Sequence, residues 1–123
     1  MNEQHIRDMK PGKDMDLLLG RTLGFTVQWD EEEGQSYMLT DSPFGERWVP
    51  FYGSTSWEGM GLVVEEMQRR GWWLFIEQNG DKSFTSRFWN SSKGYWSDSV
   101  TLSSAPHAVA MAALLALRGG EQG

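Results

Sequence analysis

The sequence predicts an α+β domain, an antiparallel β-sheet layered with helices in the order α-β-β-α-β-β-(β)-α. Three observations carry this reading. Apolar residues recur at helical spacing in three separate segments, and between them lie segments rich in aromatic and β-branched residues with period-two alternation. The strand-like segments are joined by short polar turns, which only antiparallel neighbours permit. A chain of 123 residues supports one hydrophobic core rather than two. The domain is therefore expected over residues 14–118, with a flexible lead-in at 1–13 and a flexible tail at 119–123.

The first helix begins at Asp14, where Asp14 and Asp16 favour the positive end of the macrodipole and Met15, Leu18, Leu19 and Leu23 form the apolar stripe. Gly24 closes it. Phe25, Val27 and Trp29 then alternate with Thr26 and Gln28 as a half-buried strand, residues 30–34 turn, and residues 35–40 return with Tyr37 and Leu39 on one face. Residues 41–53 show no clear period and are expected to be an ordered loop, because Phe44, Trp48, Phe51 and Tyr52 are costly to leave wholly in water.

Thr55 and Glu58 form a capping box ahead of the second helix. Its stripe is Trp57, Met60, Val63, Val64 and Met67, its wet side Glu65, Glu66, Gln68, Arg69 and Arg70, and Gly71 its stop. Residues 72–78 read as a strand and Asn79-Gly80-Asp81 as a tight turn. Phe84, Ser86 and Phe88 then alternate with Thr85, Arg87 and Trp89. A polar turn at 90–94 leads to a further strand within 95–102. Ser103 or Ser104 caps a final helix that tolerates Pro106 in its first turn and is apolar nearly all round from Ala108 to Leu117, so it is expected to be heavily buried.

Composition excludes several chemistries. The net charge of −6 disfavours a phosphate backbone as partner, and no basic run offsets it. With no cysteine there is no disulfide, thiolate metal site or cysteine nucleophile. The start of the chain lacks an apolar segment of the secretory kind, and no run approaches the roughly 18 apolar residues of a bilayer span. A cytoplasmic protein without direct nucleic-acid or membrane contact is the expectation.

Four motifs recur in order along 14–118. Leu17-Leu18-Leu19 through Leu23-Gly24-Phe25 ends the first helix; Pro50-Phe51-Tyr52 with Ser54-Thr55 precedes the second; Glu65-Glu66-Met67 with Gly71-Trp72 closes it; and Ala105-Pro106-His107-Ala108 leads into Ala112-Ala113-Leu114-Leu115-Ala116-Leu117. Together they resemble the phage ABA sandwich domain, a family of small bacteriophage and prophage proteins. The family usually runs from the aromatic residue directly into Ser-Thr and an acid. Here Gly53 intervenes after Tyr52, and Ser56 stands in the acid's place. The resemblance implies an α+β sandwich and a viral accessory setting in the host cytoplasm; it transfers no catalytic residue.

The catalytic inventory is thin. His5 and His107 are the only imidazoles, so no metal site and no cofactor are expected. The acidic run at 30–33 reads as a solvated turn. The start of the second helix, Gly53-Ser54-Thr55-Ser56, offers free amides, the positive dipole end and three hydroxyls to an anion. Trp29, Trp57 and Trp72 are assigned to the core, whereas Trp48, Trp89 and Trp96 have polar neighbours and are expected to be partly exposed. Near Arg47 and Arg87 such rings suit stacking or a protein anchor. The candidate ligand-binding set is therefore Arg47, Trp48, Tyr52, Gly53, Ser54, Thr55, Ser56, Trp57, Arg87 and Trp89. It belongs to a non-enzymatic binding protein, an inhibitor of bacterial antiviral defence that sequesters a small anionic, nucleotide-like ligand or blocks a host protein, and that self-associates through surplus apolar surface. The rival readings are a structural or regulatory protein of phage assembly, and an enzyme that uses a hydroxyl of Ser54, Thr55 or Ser56 with Glu58 on a phosphorylated small molecule.

Overall fold

A computed structural model describes residues 2–121 of the chain, with side chains through residue 118. It is a mixed fold of helices and antiparallel strands. The elements run α1 (Glu3–Asp8), α2 (Lys13–Thr22), β1 (Val27–Asp30), β2 (Gln35–Ser42), β3 (Gly45–Pro50), α3 (Trp57–Arg69), β4 (Trp72–Gln78), β5 (Phe84–Asn90), β6 (Tyr95–Trp96), β7 (Val100–Leu102) and α4 (Ala105–Glu121). The expected single sheet is in fact two. One has the order β1-β2-β3; in the other β4 flanks β5 on one side while β6 and β7 share its opposite edge. Helices join them: α2 packs on β1 and β2, and α4 packs on β5 and β7 while touching α1, α2 and α3.

The core sits where these helices meet. Met15 and Leu19 of α2, Leu23 just after it, Val63 and Met67 of α3, Phe88 of β5 and Phe51 after β3 are all buried, and α4 is buried from Ala105 to Ala116 except at the half-buried His107. Each large side chain so removed from water contributes about 1.5–3 kcal/mol. The alanines of α4 keep its surface low enough for neighbours on all sides. Where β5 meets α4, the Ser86 hydroxyl donates to the Ala108 carbonyl at 2.8 Å, so this buried polar group is satisfied.

Several elements differ from the sequence expectation. Within the polar lead-in, α1 forms because Asn2 caps it, Glu3 pairs with Arg7, and Ile6 reaches the core; Arg7 also pairs with Asp98 at 3.2 Å. Residues 41–53 hold β3, whose aperiodic sequence follows from its edge position, with Arg47 and Trp48 both exposed on opposite faces. The Ser42 hydroxyl shapes its turn by donating to Gly45 O and accepting from Phe44 N. In β2 the buried residues are Ser36 and Met38, because the register opposes Val27 to Met38; Tyr37 and Leu39 lie on the other face. The last strand is split into β6 and β7.

In the β4–β5 turn the left-handed residue is Lys82 (φ 69°) rather than Gly80. Of the two candidate caps, Ser104 stands before α4, its hydroxyl accepting from His107 N. The helix continues through the start of the expected tail to Glu121, and residues 122–123 lie outside the described residues.

Candidate functional site

In the loop after β3, Ser54, Ser56 and the Thr55 amide are engaged within the fold. The cap of α3 is Ser56, one residue beyond the expected Thr55: its hydroxyl accepts from Gly59 N at 2.9 Å and donates to Tyr52 O. Thr55 N and Ser56 N both donate to Tyr52 O. Ser54 is fully buried; its hydroxyl and its amide both donate to Asp16 Oδ1, at 2.6 and 2.8 Å, and the hydroxyl accepts from Gly12 N. Burial raises the Asp16 pKa above its ordinary value, against the two Ser54 hydrogen bonds that lower it. The pair has the outline of a nucleophile and base, yet both residues are shut inside the protein, so no substrate reaches them. They latch α2 to this loop.

Gly59 is required there for the same reason. A Cβ on Gly59 would collide with the Tyr52 carbonyl group and approach Gly53 N to 2.8 Å, so the first turn of α3 lies directly on the loop backbone. The cap shift also turns Trp57 outward: it is 62% exposed, not part of the core stripe, and touches Phe84 only edge-on.

On the outer face of β1–β3, Gln28, Tyr37 and Trp48 with Trp29, Asp30, Glu31 and Glu33 surround a cavity of about 450 Å³. Its three carboxylates repel an anion. The Tyr37 phenol donates to Glu33, and this hydrogen bond, aided by burial and nearby carboxylates, pushes its pKa up to about 12. Arg47 lies on the opposite face from Trp48, and neither meets the Ser54 loop through any described hydrogen bond.

The second sheet presents a different surface. Its inner face, with Trp72, Phe88 and Val100, packs on the helices. Strand alternation turns Trp73, Phe75 and Glu77 of β4 and Thr85, Arg87 and Trp89 of β5 to the opposite side. The register aligns Trp73 with Trp89 and Trp89 with Trp96, Phe75 with Arg87, and Glu77 with Thr85. Phe75 and Trp96 meet edge-on at 4.8 Å between ring centroids, Trp89 and Trp96 at 5.1 Å, and the Arg87 guanidinium lies 3.8 Å over the Trp96 ring. These rings remain wet: Trp73 is 48%, Phe75 54% and Trp96 36% exposed. Beside them Phe75, Ile76, Glu77, Thr85 and Arg87 line a depression of about 300 Å³.

The candidate set is thus divided. Tyr52, Gly53, Ser54, Thr55, Ser56 and Trp57 form a structural junction, Arg47 and Trp48 belong to the first sheet, and Arg87 and Trp89 lie together on the second. Trp73, Phe75 and Trp96 complete the last group and were missing from it. Trp73 and Phe75 share the parity of Arg87 and Trp89 once the hairpin is paired, but residues 72–76 are apolar throughout and give no hint of which face is wet.

His107 Nε2 donates to Met9 O, 3.1 Å away; burial lowers its pKa, against that hydrogen bond. Among the described residues no group of three or more His, Asp or Glu is placed to hold a metal ion, and no helix is long and apolar enough to cross a membrane. Comparison of the chain with known protein families, with curated proteins and with solved structures returns no match.

Proposed function

We propose that this chain is a non-enzymatic binding protein that blocks a host protein, as an inhibitor of bacterial antiviral defence, and that it docks through the outer face of the β4–β7 sheet. The observation that carries the reading is the wet aromatic cluster of Trp73, Phe75, Trp89 and Trp96 with Arg87 stacked on it. Tryptophan and arginine are the residue types over-represented at the energetic centres of protein interfaces. Large apolar patches of this kind on a small protein mark interaction surfaces. The resemblance of four motifs to phage ABA sandwich proteins supplies the viral accessory setting.

A protein partner is favoured over a nucleotide-like anion on two grounds. At the start of α3 the amides of Ser54, Thr55, Ser56 and Gly59 and the hydroxyls of Ser54 and Ser56 are committed to Asp16, Tyr52 and Ser56, and the cavity on the first sheet is lined by carboxylates. Nucleic acid is disfavoured because, among the described residues, Arg87 is the one cation in the β4 and β5 rows of the aromatic face, on a chain with net charge −6.

Phage plating on cells that carry a panel of defence systems, with and without this protein, tests the proposal. Wild type is expected to restore plating against at least one system, and Trp73→Ser with Phe75→Ser, both at exposed positions, to lose that effect while keeping the native circular-dichroism spectrum. No restoration by wild type, or turnover of a nucleotide by the purified protein, would overturn it.

A further inference from the structure

We infer that the outer face of the β4–β7 sheet closes on a second copy of itself, so that the chain rests as a two-fold symmetric dimer and a host partner competes for the same surface. The inference rests on the reading above only in taking this face as a docking surface. Charge is the first argument. The chain carries −6, yet among the described residues the β4 and β5 rows of this face hold one cation, Arg87, and one carboxylate, Glu77, so two copies meet here with little like charge opposed.

The register is the second argument. On β4 and β5 the face reads as aligned rows, Trp73 beside Trp89, Phe75 beside Arg87 and Glu77 beside Thr85. A two-fold axis parallel to the strands and midway between β4 and β5 exchanges the two columns. It sets Trp73 of one copy over Trp89 of the other, and Phe75 over Arg87, with Glu77 about 7 Å further along the strand, within reach of that same guanidinium. Trp73 and Trp89 meet ring to ring, Phe75 meets a guanidinium, and no like charges are opposed. Sheets packed in this way lie about 10 Å apart, the thickness of two interdigitated side-chain layers.

Area is the third argument. At 48%, 54% and 36% exposure, Trp73, Phe75 and Trp96 together leave roughly 300 Å² of ring surface in water, from aromatic side chains of about 150–250 Å² each. With Trp89 and the stems of Arg87 and Glu77 the patch is of the few-hundred-Å² size that marks association surfaces on small proteins.

Sedimentation of the purified chain from about 1 to about 100 μM tests the inference. A particle of twice the 14.0 kDa chain mass is expected to predominate at the upper end. Trp73→Ser with Phe75→Ser is expected to weaken association at least ~10-fold with an unchanged thermal midpoint. Arg87→Glu should weaken it as well, and adding Glu77→Arg should recover part of the loss, a coupling that a merely solubilising substitution would not produce. A wild-type chain that stays monomeric throughout, or a dimer indifferent to all three variants, overturns the inference. Monomeric wild type that still restores plating sinks the dimer alone, and a dimer that never restores plating sinks the blocking role alone.

Discussion

The two sheets of this protein are built on the same hairpin turn and put it to opposite use. In the first, Asp30 Oδ1 accepts from Glu32 N and Glu33 N, Gly34 N donates to Asp30 O at 2.8 Å, and Gly34 takes φ 66°. In the second, Asn90 Oδ1 accepts from Ser92 N and Lys93 N, Gly94 N donates to Asn90 O at 2.8 Å, and Gly94 takes φ 72°. Even the preceding residue is shared, Trp29 opposite Ser36 and Trp89 opposite Trp96. Yet Trp29 lies on the inner side with Val27 and Met38, with Lys13 Nζ 4.6 Å over its ring, while Trp89 lies on the outer side among exposed rings. Local turn chemistry sets the hairpin; the helix that arrives on one face decides which side of it is dry.

Attachment differs too. The second sheet is held by Phe88, Trp72 and Val100 against the helices. The first is held by a thinner apolar seam, in which Val27 packs so closely on Gly20 that no Cβ fits there, and by the Asp16–Ser54 latch beyond β3.

The largest expected effect contrasts the two faces of one sheet. Phe88→Ala removes a fully buried ring and is expected to cost about 3–5 kcal/mol, whereas Trp96→Ala on the outer face should cost no more than ~1 kcal/mol. Equilibrium urea unfolding of both checks this, and comparable losses would mean that the outer face is part of the core.

Next is the latch of the first sheet. Asp16→Ala leaves the buried Ser54 hydroxyl and amide without their acceptor and should cost about 2–3 kcal/mol. Because the folded-state pKa of Asp16 is raised above 3.8, its contribution to stability is full below that pH and is lost as pH rises through the folded value. Asp16→Asn should therefore remove a fall in stability on going from acidic to neutral pH, measurable as a flatter curve of unfolding free energy against pH.

The shared turn predicts equal penalties. Gly34→Ala and Gly94→Ala each force a side chain into the left-handed region and should each cost about 1–2 kcal/mol, with thermal midpoints lowered by similar amounts. A large inequality would show that one turn is strained by its sheet. The smallest effect is expected from giving the first turn the sequence of the second. Glu31→Ser, Glu32→Ser and Glu33→Lys keep the Asp30 side-chain bonds to the backbone and should alter stability by less than ~0.5 kcal/mol. The same exchange removes the Glu33 acceptor, so spectrophotometric titration should find the Tyr37 phenol moved from about 12 back towards 10.0.

The sequence by itself determined the elements whose chemistry is local. The stripe of α3 from Met60 to Met67, the all-round apolar α4, the hairpins at 30–34 and around 80, and the mixed antiparallel class follow from side-chain period and from turn residues that bond their own backbone. Tertiary structure alone decided what depends on partners distant in the chain. Asp16 meets Ser54 across 38 residues and turns an anion-receptive helix start into a buried latch. The single buried side chain of Ile6, with an exposed ion pair to Asp98, orders a polar lead-in. The aromatic face assembles from Trp73, Phe75, Arg87, Trp89 and Trp96 only once β4, β5 and β6 are in register. Period-two alternation tells that a strand has two sides, but where both carry aromatic residues, only the position of the helices says which one water sees.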